Sequence, residues 1–249
     1  MKKNALIVKI VLLGLLVIGT SSTLKAQDDQ SGEETSSTSS FSYGFKAGTN
    51  FHSFTDQQPH TSGKIGYSAG IFGKYSFGSV VSLQMEAAYF QQGGEYVQFI
   101  DESRYGAPLS YDTKHVKEAS VTLHNVYVPL QAHLSFFDKS YLPDLLIGPY
   151  MDVNFAATEN YEKTGQVDSK YVTTVGSDVV TDQYEMLQFG ATAGLSFNVP
   201  TSKDFSFLFD ISYKYGIFPV KESYSYIDYY GVTGDISSNA LSVTVGLKF

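Results

Sequence analysis

The sequence predicts an all-β protein, an eight-stranded antiparallel up-and-down transmembrane β-barrel with a filled lumen. Three observations lead to this fold class: eight segments alternate apolar and polar residues, their connections alternate in length, and the composition is poor in charge. Only 17% of the residues are charged and 15% are aromatic. An ordinary soluble domain carries roughly 25% charged residues, so a soluble β protein of this size would need more charge on its wet face.

The last segment, LSVTVGLKF, shows the alternation most clearly. Leu241, Val243, Val245, Leu247 and Phe249 fall on one face of an extended strand, because successive side chains point to opposite faces. Such a face packs either inward, in a soluble β protein, or outward, against lipid. One strand does not distinguish the two arrangements.

Eight segments carry aromatic or β-branched residues in this pattern, and no helical window competes with them. They span residues 41–52, 64–76, 80–98, 119–136, 144–158, 184–199, 205–219 and 239–249.

The connections between the segments alternate in length. Those at 76–79, 136–143 and 200–204 are short, and the others are long, at 53–63, 99–118, 159–183 and 220–238. An up-and-down meander places alternate connections at opposite rims. Bacterial outer-membrane barrels have this asymmetry, with short periplasmic turns and long extracellular loops.

The first residues predict export. Residues 1–26 combine Lys2 and Lys3 with an apolar stretch and small residues up to Ala26, as in a cleaved secretory signal peptide. Residues 27–40 are polar, acidic and rich in Ser and Thr, which predicts a disordered periplasmic tether before a barrel at 41–249. The predicted location is the outer membrane of a Gram-negative bacterium.

Charge and cysteine content exclude several classes of function. Cleavage removes four lysines and no acid, which moves the formal charge from −8 to −12. Arg104 is the only arginine and no basic stripe occurs, so we expect no nucleic-acid partner. The absence of cysteine excludes disulfides, thiolate metal sites and a cysteine nucleophile.

The apolar faces of three segments predict lipid contact, because none carries a charge and the opposite faces are small and hydroxylic. The predicted lipid-facing residues are Leu187, Phe189, Leu195, Phe205, Phe207, Phe209, Val243, Val245 and Leu247.

The same parity places charged side chains inside the barrel. They are Lys46, Lys74, Glu86, Asp152, Asp210, Lys214 and, with a less certain parity, Lys248. Side chains nearly fill the interior of an eight-stranded barrel, so buried acids and bases there must pair. We expect a structural network that plugs the lumen; a proton or ion path is the alternative.

Two prolines lie inside predicted strands, where they cannot donate to the ladder. Pro129 and Pro149 lie about equally far from the short turn near Lys139, so they should face each other across one hairpin and share a bulge. Gly93 and Gly94 predict a second bulge, next to the following strand.

Several motifs resemble the PorT-like outer membrane β-barrel family of Gram-negative bacteria. They are YGFKAGTNF (43–51), VPL after an aromatic (128–130), GPY (148–150), FDISYKYGI (209–217) and the closing GLKF. The resemblance implies an eight-stranded outer-membrane barrel without catalytic residues, one branch of the family being associated with protein secretion. The terminal Phe249 resembles the signal read by the barrel assembly machinery.

Catalytic, metal and cofactor sites are not predicted. His52, His60, His115 and His124 could meet at the extracellular rim, but no metal-type spacing joins them, and solvated loop histidines are expected. The outer loops are acidic without calcium-type spacing. The tyrosines of YSYIDYY (224–230) suggest either a contact loop or a strand extension.

The main functional hypothesis is an outer-membrane barrel that displays four long loops in a structural, adhesive or accessory role. The alternatives are a component of a protein secretion or transport system and a soluble periplasmic barrel that binds a small apolar ligand. Expected partners are outer-membrane lipid and lipopolysaccharide, the assembly machinery, and an extracellular protein or glycan at the loops. We expect a monomer.

Overall fold

The computed structural model describes residues 39–55, 61–99, 116–136, 142–167, 170–201, 205–227 and 232–249. The expected signal peptide and nearly all of the expected tether lie outside the described residues, as do His60 and His115. The first strand begins at Ser40, the last residue assigned to the tether.

The described residues form eleven strands and one short 3₁₀ turn at Thr181–Gln183. The strands are β1 (Ser40–Thr55), β2 (Thr61–Ser62), β3 (Lys64–Ser76), β4 (Val81–Phe99), β5 (Val116–Leu134), β6 (Asp144–Val167), β7 (Lys170–Val179), β8 (Leu187–Pro200), β9 (Ser206–Gly216), β10 (Lys221–Ile227) and β11 (Val232–Lys248). Among the residues described, no helix has the length and apolar character needed to cross a bilayer.

Eight of these strands close into an antiparallel barrel. The order around the barrel is β1, β3, β4, β5, β6, β8, β9 and β11, and β11 pairs with β1 from Thr55↔Ser237 to Gly44↔Lys248. Closure continues to the last residue, because Phe249 N donates to Tyr43 O at 2.8 Å. The predicted fold class is confirmed.

Strands continue where long loops were expected. β6 runs to Val167 and returns as β7, which pairs with it from Thr158↔Val179 to Val167↔Lys170. β4 and β5 pair out to Phe99↔Val116, and β10 pairs with β11. These segments are rich in Thr, Val and Tyr, and each finds a neighbouring ladder, so pairing wins over the polar composition that suggested loops. We call the four-stranded part formed by 91–99, 116–124, 156–167 and 170–179 the extension.

The two faces of the barrel wall differ in polarity. Of the nine residues predicted to contact lipid, seven are exposed on the outer face, and Phe205 and Leu247 are partly exposed. Phe207 and Phe209 retain 45% and 38% of their accessible surface. A soluble barrel with its apolar face inward would bury both rings, so that alternative is wrong.

Close contacts between neighbouring strands require glycine at several inward positions. A Cβ on Gly190 would overlap the carbonyl oxygen of Tyr215 and lie 2.5 Å from the hydroxyl of Tyr150. A Cβ on Gly78, in the turn between β3 and β4, would meet nothing within 4 Å. Gly190 therefore lets the Tyr150 ring occupy the lumen.

The prolines interrupt the ladders without changing the register. Pro129 pairs with Tyr150, and the same register continues at Ala132↔Ile147, so no residue is inserted between them. The predicted shared bulge is wrong. The register shift in this ladder lies between His124↔Ala156 and Asn125↔Asn154, where Phe155 of β6 has no partner in β5. Each proline lacks a donor N–H, and the strand pairing is interrupted beside it. One interruption lies between β4 and β5, and the other lies between β5 and β6.

Gly93 has a φ of +149°, which favours glycine. The β4–β5 register is unbroken through Gly93↔Thr122 and Gly94↔Val121, so the bulge expected on that side is absent from the described ladder. On the other side of β4 the register slips by one residue between Ser68↔Phe90 and Ser62↔Glu95. The irregularity therefore faces the β2–β3 connection.

Candidate functional site

The middle of the lumen holds a buried lysine between two acids. Lys46 Nζ lies 2.9 Å from Glu86 Oε2 and 2.8 Å from Asp210 Oδ2, and Ser196 Oγ donates to the other Asp210 oxygen at 2.5 Å. The four residues come from β1, β4, β8 and β9, so the contacts join strands on different sides of the barrel. The arrangement ties the wall together across its axis.

A second ion pair lies nearer the long connections. Lys214 Nζ donates to Asp152 Oδ2 and, at 2.9 Å, to Gln92 Oε1. Its ammonium also lies over three rings, at 4.4 Å from the centroid of Phe90, 5.1 Å from that of Tyr127 and 4.6 Å from that of Tyr150. We call Lys214, Asp152 and these rings the lysine cage.

The two charged groups of the lysine cage are buried. The side chains of Lys214 and Asp152 are 3% and 0% exposed. The ring faces carry negative charge density and attract the ammonium, which adds to the attraction of the carboxylate. Because an isolated ion would be strongly disfavoured at this depth, the two charges stabilise each other there.

The short-turn end of the lumen carries a third group of charges. Lys74 Nζ lies 3.3 Å from Asp144 Oδ2 and 3.1 Å from His133 Nδ1, and Ser135 Oγ donates to Asp144 at 2.6 Å. Lys248 is half-buried on the inner face of the closing strand. The alternation along the strands predicted that both lysines face inward. Asp144 and His133 were not predicted, although they also lie at inward-facing positions of their strands.

Little open space remains between these groups. The cavity beside Lys46, Glu86 and Tyr127 has a volume of about 30 Å³, which is room for about one water molecule. Among the described residues, aromatic side chains and ion pairs surround this cavity.

An apolar cluster covers the barrel at its long-connection end. Its buried members are Phe54, Ala119, Val121, Leu123, Ala157, Val180, Tyr184, Val220 and Ile236. We call this cluster the apolar cap. Segments between strands complete it, because Val220 N donates to Ile236 O at 2.6 Å and Glu185 N donates to Val220 O at 2.9 Å.

A layer of amide side chains separates the apolar cap from the lysine cage. Asn125 and Asn154 are directly opposite each other in the β5–β6 ladder and are 0% and 3% exposed. Gln92 Nε2 donates to Gln188 Oε1 at 2.6 Å across the barrel. These amides and the cage rings were not predicted from the sequence, although their inward parity was readable from the strands.

The described histidines are not gathered into a site. His52, expected in solvent, is 1% exposed, with Nδ1 2.8 Å from Gly93 O. His124 lies on the outer face, where its Nδ1 is 2.6 Å from the hydroxyl of Tyr89. Within the described ranges, no three His, Cys, Asp or Glu side chains approach closely enough to hold a metal ion.

The free side of the extension is strand β7. Val175 and Val179 are 76% and 77% exposed. β7 pairs with β6, and no other described strand pairs with it. It therefore presents an edge of main-chain groups at the long-connection end.

Comparison with known proteins gives a family and several similar folds. The family model of the outer membrane protein beta-barrel domain matches residues 25–222. The structure is similar to Ail of Yersinia pestis, solved in complex with the heparin analogue sucrose octasulfate, with 11% identity, coverage of 84% of this chain and 99% of that chain, and a TM-score of 0.38. It is also similar to Neisserial surface protein A, with 14% identity, coverage of 85% and 99%, and a TM-score of 0.30. No curated protein matches the chain.

Proposed function

The chain belongs to the outer membrane protein beta-barrel domain family, and we propose that it is a sealed barrel that anchors a structured sheet outside the cell, in an adhesive or accessory role. The barrel supplies the anchor, and the extension and the apolar cap form the displayed part. In this orientation the short turns face the periplasm, as in bacterial outer-membrane barrels. The expected signal peptide at 1–26 and tether at 27–40 fit a chain that enters from that side.

The observation that carries this proposal is the packing of the lumen by the described side chains. Along the axis they form the Lys74 group, the Lys46 ion pairs, the lysine cage, the amide layer and the apolar cap. Transport of a solute would require moving paired charges and a packed apolar cluster together. Display needs no such movement, because the extension already lies beyond the barrel wall.

Conductance in a planar bilayer tests the closed lumen. The wild-type protein should give no stable channels. A variant with Phe90→Ala, Tyr127→Ala and Tyr150→Ala should also give no stable channels, because the Lys46 ion pairs and the apolar cap still fill the lumen. Steady, large channels in the wild-type protein would contradict a display role and favour transport.

Surface display is tested independently by protease treatment of intact cells. The extension should be cleaved while the barrel remains protected. Cleavage only after the outer membrane is opened would mean that the long connections face the periplasm.

The closing strand supports a proposal about assembly. Phe249 exchanges two main-chain hydrogen bonds with Tyr43, at 2.8 Å and 3.1 Å, and its ring lies 5.9 Å from the Tyr43 ring. Phe249 thus extends the seam between β1 and β11. In the proposed function this residue carries the signal for the assembly machinery, and the outer face contacts lipid and lipopolysaccharide.

The finer assignment to PorT-like barrels rests on the order of the sequence motifs. It adds a second hypothesis, a role in protein secretion, which predicts co-purification with a large periplasmic complex. The proposal assigns no catalytic residue, metal ion or cofactor to the barrel. A monomer remains the expected state.

A further inference from the structure

Strand β7 stands out because, among the described residues, no strand pairs with one of its edges and side chains on both of its faces are exposed. Val172, Val175 and Val179 are exposed although they lie on both faces of the strand. The neighbouring Ser177 and Asp178 are exposed as well. Apolar β-branched residues in this number are unusual on a strand that meets only water, because they fit a half-buried pleated surface.

The pairing with β6 shows which main-chain groups remain available. Val180 N donates to Ala157 O at 2.9 Å, so the N–H at position 180 points toward β6. Main-chain groups of a strand alternate in direction. The N–H and C=O groups of Val175, Ser177 and Val179 therefore point away from β6, to the open edge.

Beyond Lys170, which is its first residue, the edge of β7 lacks the residues that usually prevent strand addition. Natural edge strands are blunted by proline, by lysine or by an inward-pointing charge. Residues 172–179 contain no proline and no lysine. Their only charged residue is Asp178, whose main chain faces β6.

The net charge of the surface around β7 favours a partner of opposite charge. The extension and the segment after it, residues 91–99, 116–124, 156–167 and 170–186, contain seven acids and three lysines, Lys117, Lys163 and Lys170, and so carry a net negative charge. The exposed acids are Glu95, Glu118, Glu162, Asp178, Asp182 and Glu185. A basic segment would be attracted to this surface and an acidic one repelled.

We propose that the open edge of β7 is a docking site for an extended basic segment of a partner polypeptide, which adds to the extension as a fifth strand. Main-chain hydrogen bonds to Val175, Ser177 and Val179 hold the segment, and the exposed valines contact its alternate side chains. The inference rests on the proposed function, since the partner is outside the cell.

A synthetic peptide tests the docking site on the full-length protein in lipid nanodiscs. The probe is a fluorescent peptide of about ten residues that alternates Lys with Val or Thr, which is the length of one strand. Its controls are the same peptide N-methylated on alternate residues and an acidic version with Glu in place of Lys. Binding should require the basic, unmethylated peptide, and equal binding of the methylated peptide would overturn strand addition.

A matched pair of variants tests the edge itself. Ser177→Pro removes an outward N–H and leaves the hydrogen bonds to β6, whereas Ser177→Ala keeps the N–H. Ser177→Pro should weaken peptide binding by about tenfold, since it removes one hydrogen bond and obstructs its neighbours, and Ser177→Ala should bind as the wild type. Equal binding by Ser177→Pro, with its heat-dependent gel mobility unchanged, would overturn the proposal.

Two further measurements keep the result decisive. If Ser177→Pro fails to fold, Asp178→Lys replaces it, and this variant should bind the basic peptide several-fold less tightly than the wild type; unchanged binding refutes the charge selection. Intact cells are then tested with the same peptide. Binding to purified protein but not to cells contradicts the outward orientation of the proposed function, whereas surface cleavage of the extension without peptide binding contradicts the docking site alone.

Discussion

Replacing Lys214 with methionine should destabilise the barrel strongly, because it removes one partner of a fully buried ion pair. Met keeps most of the volume of the lysine stem, so the change is mainly one of charge. Asp152 is 0% exposed, and the substitution leaves its carboxylate among the rings of the lysine cage without a cation. Breaking a buried pair in this way costs about 3–5 kcal/mol.

A double-mutant cycle separates the ion pair from the loss of packing. Asp152→Asn in the Lys214→Met background removes the unpaired charge, so the double variant should be more stable than Lys214→Met. The expected coupling is about 2–3 kcal/mol, a factor of roughly 30 to 150 in the folding equilibrium. The control is Asp178→Asn, an exposed position on β7, which should change stability by less than about 0.5 kcal/mol.

Urea titration of the protein in phospholipid vesicles measures these differences. The folded fraction is read from the unheated gel band and from far-ultraviolet circular dichroism. A Lys214→Met variant as stable as the wild type would refute the burial argument. Single changes that add in the double variant would show that the two side chains do not depend on each other.

Three further predictions concern the wall and the seam. Gly190→Ala should destabilise the barrel by about 1–3 kcal/mol through overpacking, whereas Gly78→Ala should not, as urea titration measures. Val243→Lys should cost about 2–4 kcal/mol because it places a charge against lipid, while Val175→Lys on the extension should leave the urea midpoint unchanged; equal costs would contradict the assigned faces. Phe249→Ala should reduce the amount of protein in the outer-membrane fraction and Phe249→Tyr should not, which quantitative blotting measures.

Strand number and facing were readable from the sequence because both depend on local alternation. The side-chain period of two places Phe207 and Asp210 on opposite faces whatever the neighbouring strand is. The same local rule failed at the ends of strands. Polar Thr-rich segments such as 170–179 were assigned to a loop, since their pairing with β6 depends on a partner that composition does not reveal.

The proline hairpin shows the same limit in another form. Pro129 and Pro149 were correctly recognised as residues that cannot donate to a ladder, but their effect on register was not predictable. In a barrel wall the pairing can be interrupted at each proline while the residue pairs on either side keep the register. The stability of those pairs depends on residues far away in the sequence. The register shift instead lies beside Phe155.

Local pattern established the barrel class, the inner and outer faces and the burial of charge. Partners inside the lumen depend on barrel closure, which brings distant strands within a few ångströms: Lys214 of β9 meets Asp152 of β6 and Phe90 of β4. The apolar cap and the open edge of β7 also depend on tertiary structure. The cap forms where segments far apart in sequence pack together, and the edge is the side of β7 with which no described strand pairs. Alternation along one strand carries no information about these contacts, since the pattern is the same whichever strand lies beside it.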